Sequence, residues 1–357
     1  MTEHDGIDGI DGMAISHAQT LFDPQPGWLN TASYGLPPRP AWQALQDALD
    51  DWRHGRTSWE VWDESTDRAR HSFARLVGAD AEDVSVGSVV SQQIGLLAAS
   101  LPDGSRVLAP EIEFGSNLFP YLMHASRGVE VHTVPLAELL DSIDERVDVV
   151  AVSAVQSSTG EVTDLAGVAE RARAVGALVV ADVTQAAGWL PVDVAHVDAL
   201  ACSAYKWLCA PRGTAFLYVD PQLRDRVRPL AAGWYAGEDV HANYYGPEFE
   251  LAHSARRFDL SPAWHCWVGA APALDLIERV GVEPIRAHNV RLANRFRTGL
   301  GLPESNSAIV SVDVPDAQQR LESAGVRAAS RAGSLRASFH LYTTEADVDA
   351  AVAALTR

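Results

Sequence analysis

Cys202-Ser203-Ala204-Tyr205-Lys206-Trp207 sets a single lysine just beyond an apolar, strand-like run that extends from Val197 to Ala204. Upstream, Ala177-Leu178-Val179-Val180-Ala181-Asp182 carries a similar run to an aspartate. Burying either charge alone is costly, because loss of water disfavours the ionised form. Two lone ionisable groups at the ends of adjacent buried strands predict a bound molecule that completes both.

The pattern around these two runs predicts the architecture. Strand-like segments at 84–86, 106–109, 130–133, 147–153, 178–182, 199–203 and 214–219 alternate with helical ones at 92–99, 117–126 and 165–175. Strands alternating with helices predict a largely parallel, doubly wound α/β sheet. In such sheets ligands gather beyond the carboxyl ends of the strands, where Asp182 and Lys206 fall. A long helical region at 42–77 precedes the block and another at 264–300 follows it. The last sixty or so residues read as a small α+β unit, with strands at 308–314 and 334–339 and helices at 316–324 and 345–355. A molecule with an aldehyde for the lysine and a pyridine nitrogen for the aspartate meets the requirement of the two charges, and pyridoxal 5′-phosphate (PLP) has both.

Composition narrows the function classes. The 357 residues carry 47 acidic and 28 basic side chains, a formal charge of −19, and 47% hydrophobic residues. That balance predicts a soluble globular protein without a nucleic-acid or anionic-membrane partner, which would require a basic face. Three cysteines (Cys202, Cys209, Cys266) make neither a disulfide framework nor a paired metal site, so no metal and a reducing, cytoplasmic setting are expected. No apolar stretch is long enough to span a bilayer. The acidic, Gly-rich residues 1–16 read as a disordered tail rather than a signal peptide.

Several segments, in order, resemble the class V aminotransferase-like family of PLP enzymes, which includes cysteine desulfurases, kynureninases and isopenicillin N epimerases. They are Leu29-Asn30-Thr31-Ala32-Ser33-Tyr34-Gly35, Val180-Ala181-Asp182-Val183-Thr184-Gln185-Ala186, Ser203-Ala204-Tyr205-Lys206-Trp207 with Pro211-Arg212-Gly213, and Leu335-Arg336-Ala337-Ser338. The resemblance implies the PLP-transferase fold type I. Its large domain, 28–268, would hold a mostly parallel seven-stranded sheet, and 17–27 with 269–357 would form the smaller α+β domain. Within the family, the opening segment and Trp264-His265-Cys266-Trp267-Val268-Gly269 are most similar to the carbon–sulfur lyases that perform the last step of ergothioneine biosynthesis.

The same resemblance implies the site. Lys206 would bond the cofactor aldehyde and shuttle the substrate Cα proton, as a desolvated lysine suits both tasks. Asp182 would face the pyridine nitrogen; the alternative is a helix N-cap. Gln185 would bond the ring oxygen and Ser203 the phosphate, and either could instead be an ordinary buried polar group. Phe114 would stack on the ring where cysteine desulfurases carry histidine, although a core phenylalanine is the alternative. Backbone N–H groups of Val90 and Ser91 would hold the phosphate at a helix N-terminus. Ser261 would complete that site from a neighbouring subunit, which implies a homodimer. Arg336 would clamp the amino-acid substrate's carboxylate, assisted by Gln156 and Ser157, with Tyr34 also at the substrate.

The loop before Arg336, Arg327 to Gly333, lacks the cysteine that desulfurases use to attack substrate sulfur. Elimination is therefore favoured over persulfide chemistry. The lyase resemblance implies cleavage of hercynylcysteine sulfoxide, with pyruvate and ammonia released. The alternatives are desulfurase-like or aminotransferase activity, and a non-catalytic PLP-binding protein. A trimethylammonium group on that substrate would seek aromatic faces, with Tyr34, Trp59, Trp62, Trp234, Tyr235, Tyr244 and Tyr245 as candidates. Trp59 and Trp62, like Trp52, could equally be helix-packing residues.

Overall fold

Seven of the apolar runs become one sheet: β1 (Val84–Gly87), β2 (Arg106–Pro110), β3 (Glu130–Val134), β4 (Val149–Ser153), β5 (Leu178–Asp182), β6 (Ala199–Ser203) and β7 (Ala215–Val219). The computed structural model describes residues 12–242 and 244–356. Strand order is β1-β7-β6-β5-β4-β2-β3. The pairs from β3 across to β6 are parallel, while β7 runs antiparallel to both β6 and β1. Strands β4, β6 and β7 are buried at every position, which is why they read as continuous apolar runs rather than as alternating ones. The reversal at β7 follows from its connection. Residues 204–214 form a turn too short for a crossover helix, closed by Ala204 N–H on Thr214 O at 3.0 Å.

The helices are α1 (Ile15–Gln19), α2 (Arg39–His54), α3 (Trp59–Val77), α4 (Val90–Ser100), α5 (Gly115–Leu122), α6 (Leu165–Val175), α7 (Pro221–Arg224), α8 (Trp264–Val280), α9 (Val282–Gly299), α10 (Ala317–Ser323) and α11 (Glu345–Thr356). Both long helical regions expected from the sequence are divided by a glycine at positive φ. Gly55 (φ 66°) separates α2 from α3, and Gly281 (φ 86°) separates α8 from α9. One face of the sheet packs on a core shared with α3 and α8, in which Phe73 stacks on Phe216 with centroids 4.2 Å apart. The other face packs mainly on α4 and α5 through Ile94, Leu97 and Tyr121.

A second, three-stranded antiparallel sheet has the order β8-β10-β9, from β8 (Ile309–Val312), β9 (Ala329–Arg331) and β10 (Ser334–Ser338). It forms its own core with α9, α10 and α11. The short β9 was not foreseen. Residues of α8 belong to the core of the large sheet, and α9 faces both cores, Ile285 the large one and Leu292, Ala293 and Phe296 the small one. Segment 17–27 bridges the two, with Ala18 and Phe22 in the large core and Gly27 N–H on Asp347 Oδ1 at 2.7 Å. Of the expected tail, residues 1–11 lie outside the described residues. Residues 13–16 are tied down, since Met13 N–H donates to Arg279 O and α1 begins at Ile15. No helix among the described residues is long and apolar enough to cross a membrane.

Candidate active site

Parallel register aligns the strand ends that carry the chemistry. Ser153 pairs with Asp182 across β4 and β5, and Asp182 with Ala201 of β6. The carboxyl edge of the sheet thus presents Asp182, Ser203 and, one turn later, Lys206. Asp182 is 5% exposed and Lys206 is 6% exposed. Burial pushes the Asp182 carboxyl up and the Lys206 amine down to about 8; each group's charge partly offsets the shift of the other. Thr184 N–H donates to Asp182 Oδ1 at 2.8 Å, but the Lys206 amine makes no hydrogen bond or ion pair with any described residue. A buried aspartate and a buried lysine without a carboxylate or hydrogen-bond partner at one sheet edge fit a ligand that bonds both.

The turn bearing Lys206 is clamped from outside. Gly35 N–H donates to Tyr205 O at 3.0 Å, and a Cβ on Gly35 would lie 1.8 Å from Lys206 O. Glycine is needed here for close approach, not for an unusual φ. On the other side His340 Nε2 bonds Trp207 O at 2.9 Å, while Asn289 Nδ2 meets His340 Nδ1 at 3.2 Å. The carbonyl must accept, so the Nε2 tautomer carries the hydrogen and Nδ1 takes the amide proton. Burial holds the His340 imidazole neutral, with its pKa lowered to about 3.

Gln185 spends its whole amide within the protein. Nε2 donates to Ala32 O (3.0 Å) and Ser157 Oγ (3.1 Å), and Oε1 accepts from Trp207 Nε1 (2.8 Å). Contact with a cofactor ring oxygen therefore requires exchange of the Ser157 bond. Thr184 Oγ1 accepts from Ser203 N–H at 2.9 Å and so couples the Asp182 and Ser203 strands. Phe114 caps the start of α5, with its ring centroid 5.4 Å from Lys206 Nζ. At α4, Val89 is the N-cap, and Val90 and Ser91 occupy the first helical positions, whose N–H groups have no intrahelical acceptor.

Arg336 is 1% exposed on β10, with no carboxylate partner among the described residues. Its guanidinium donates to Ser157 O (2.5 Å), Ser157 Oγ (3.0 Å) and Ser33 Oγ (2.9 Å), and its Nε is unpaired. Burial and nearby Arg331 lower its pKa to about 10. A buried, underpartnered guanidinium fits an incoming carboxylate. The opening segment brings Ser33 here because Leu29 and Asn30 run beside β10, with Ser338 N–H on Leu29 O at 2.9 Å. Gln156 is buried but turned away toward Glu113, to which its amide donates at 3.3 Å. Tyr34 is 48% exposed, with its ring 5.6 Å from that of Tyr205 and its hydroxyl accepting from Arg212 Nη1 at 3.1 Å.

Glu113, His340, Thr184 and Arg212 were not singled out beforehand. Glu113 is a buried carboxylate that accepts from Ser153 N–H (2.7 Å), Ser153 Oγ and Phe114 N–H (2.9 Å), tying Phe114 to the end of β4. Burial raises its pKa. Its only signal in the sequence was a charge at a strand end, next to Phe114. Ser261 is exposed, one residue past Leu260, whose N–H meets Val86 O at 3.4 Å at the edge of β1. The buried pair Arg70–Asp259 anchors this segment, and Asp259 Oδ1 also accepts from Val86 N–H at 2.7 Å.

The aromatic candidates divide into two groups. Trp59 lies among Trp264, Trp234 and His241, with centroids 5.4, 5.3 and 5.5 Å away. Tyr244 packs on Trp234, and Tyr235 donates to Asp63 at 2.7 Å. Trp62 lies against His265 at 4.4 Å, and Tyr245 projects at 93% exposure. Only Tyr34 of the candidates touches a residue next to Lys206. Among the described residues no cluster of three or more His, Cys, Asp or Glu is placed to hold a metal.

The model of the family described as aminotransferase class-V matches residues 57–322. The uncharacterised aminotransferase YcbU of Bacillus subtilis (strain 168) is 32% identical over 259 residues, which is 70% of this chain and 68% of that protein. Isopenicillin N epimerase of Streptomyces clavuligerus is 26% identical over 387 residues, covering 94% and 95% of the two chains. The solved structure of the cystine C–S lyase C-DES with cysteine persulfide gives a TM-score of 0.83 at 21% identity, covering 93% of this chain and 97% of that one. A variant of the same lyase with glycine linked to its PLP cofactor gives 0.84 at 20% identity, covering 93% and 96%. These structural likenesses establish the fold, and the sequence matches establish the relationship. The chain belongs to the class V aminotransferases, and pyridoxal 5′-phosphate is its cofactor.

Proposed function

We propose that the protein is a carbon–sulfur β-lyase acting on an S-substituted cysteine sulfoxide, with hercynylcysteine sulfoxide as substrate and ergothioneine, pyruvate and ammonia as products. One observation carries the choice of elimination. The segment before Arg336 is a tight hairpin, β9–Ala332–Gly333–β10, which carries no thiol; it directs Arg331 onto Ser33 Oγ at 3.1 Å. Cys202 and Cys209 are buried, and Cys266 is bonded to Arg212 O, so none stands where a persulfide would form on that hairpin. Elimination needs no such thiol. A sulfoxide suits it, because a sulfenate leaves more readily than a thiolate.

Bound between Lys206 and Asp182, the cofactor would supply the sink for electrons released from the substrate Cα. Lys206 would take the Cα proton once freed from the cofactor aldehyde. Asp182 would pair with the ring nitrogen, whose positive charge would offset the cost of the buried carboxylate. Gln185 would serve the ring oxygen on exchanging its Ser157 bond, and Phe114 would cover the ring face. Ser203 and the N–H groups of Val90 and Ser91 would hold the phosphate, with Ser261 contributed by a second copy in a homodimer. Arg336, set by Ser33 and Ser157, binds the α-carboxylate, and Gln156 supports the Ser157 loop through Glu113.

The test is to incubate the wild type and Lys206→Ala with hercynylcysteine sulfoxide and follow pyruvate and the thione. Turnover by the wild type alone is the expected result, and equal turnover by both would sink the mechanism. No turnover by the wild type would remove the substrate assignment. Alanine and sulfide from L-cysteine would favour a desulfurase instead.

A further inference from the structure

The geometry points to Tyr34 as the proton donor to the departing sulfur group, with Arg212 holding the phenolate it leaves behind. This rests on the β-lyase reading. Tyr34 sits between two neighbours that are fixed on the site: Ser33 accepts from Arg336 at 2.9 Å, and Gly35 is pressed against the Lys206 carbonyl. A substrate held by Arg336 and worked on by Lys206 therefore lies against residue 34, and its side chain is at the open mouth where the sulfur substituent must exit.

The hydrogen-bond directions suit the role. Tyr34 Oη accepts from Arg212 Nη1 at 3.1 Å, so its own hydrogen is directed elsewhere and is free for the substrate. Arg212 has no carboxylate partner among the described residues. Its guanidinium lies 4.9 Å above the Tyr205 ring, placed to stabilise an anion on Tyr34. Tyr205, the other hydroxyl near Lys206, makes no bond to this arginine's N–H groups and is more deeply buried.

In the step, the Cβ–S bond breaks and its electron pair stays on the sulfur group. The Tyr34 O–H proton passes to that group, and the phenolate beside Arg212 recovers a proton from water. No oxidant or reductant is required.

Leaving groups of different basicity test this. With S-methyl-L-cysteine, whose thiolate needs a proton, Tyr34→Phe lowers pyruvate formation by about 10²-fold or more. With β-chloro-L-alanine, whose chloride needs none, the loss stays below about threefold. Exchange of the Cα hydrogen of S-methyl-L-cysteine with D₂O, read by proton NMR, continues in the variant while elimination falls. Arg212→Gln, which leaves Tyr34 in place, shows the same substrate dependence with a loss of about tenfold. Equal loss on both substrates, no loss on either, or exchange falling in step with elimination overturns the proposal. Wild-type enzyme that releases pyruvate from neither compound nor from hercynylcysteine sulfoxide overturns the lyase reading itself, and this assignment with it; failure of the variants' pattern alone leaves that reading standing.

Discussion

Replacing Arg336 by methionine separates binding from folding in a way that few active-site changes do. The guanidinium is buried and its pKa falls from 12.5 to about 10, so burial disfavours the charged form by about 3 kcal/mol. Below pH 10 this cost is present in the folded state and absent from the unfolded one. Methionine removes the cost and forfeits the three hydrogen bonds to Ser157 and Ser33, each worth about 1 kcal/mol. The two terms offset, and the thermal midpoint is expected within about 4 °C of wild type. Binding behaves differently. Loss of a charged partner for a desolvated carboxylate costs about 3–4 kcal/mol, a hundred- to thousandfold effect. Spectral titration of the holoenzyme with L-alanine, which has no leaving group, reads this directly, and ethylamine, which has no carboxylate, serves as control. Methionine at 336 should weaken L-alanine binding by that factor and leave ethylamine nearly unchanged. If both ligands weaken together, or the midpoint drops by more than about 10 °C, Arg336 assembles the site rather than clamping the substrate.

Other outcomes follow from the same geometry. The rate at which apoprotein takes up PLP should rise with pH through a midpoint near 8 and level off above it, because burial lowers the Lys206 amine from 10.5 to about 8 and the neutral amine is the nucleophile; a midpoint near 10.5, in stopped-flow absorbance, would show an amine in water. Gly35→Ala should cost about 3 kcal/mol or more and reduce PLP occupancy, since its Cβ would meet the Lys206 carbonyl and Cys209 Cα, backbone atoms that cannot rotate away. Urea unfolding and bound-PLP absorbance check the two effects, and an unchanged midpoint refutes the contact. His340 stays neutral while the unfolded chain binds a proton below pH 6.5, so stability should fall by about 1.4 kcal/mol per pH unit from 6.5 toward 3 on its account. His340→Gln should flatten that slope relative to wild type in paired urea titrations at pH 7 and 5, and identical slopes would place the acid sensitivity elsewhere.

The sheet was legible because its strands are short, apolar and separated by helices, and because β4, β6 and β7 are buried on both faces. Asp182 and Lys206 were legible for the converse reason: a charge at the end of an apolar run contradicts its surroundings unless something binds it. What the sequence hid are contacts that bring distant segments together. Nothing local to His340 says that it reaches Trp207 O, nor to Tyr34 that Arg212 meets its hydroxyl across 178 positions. Glu113 looked like one more acidic side chain among 47, although its place beneath Ser153 and Gln156 makes it the brace for Phe114. Aromatic residues carried a weaker signal. A count of ten tryptophans points toward a site for a cation, but one face of Trp59 is stacked on Trp264 at 5.4 Å, and Trp234 meets Trp59 at 5.3 Å in a T-shaped contact. A ring already covered by another ring has little face left for a cation. Of the aromatic candidates, Tyr34 is the one whose ring meets a neighbour of Lys206, Tyr205, at 5.6 Å, and it is joined to the sheet-edge turn through Arg212 as well.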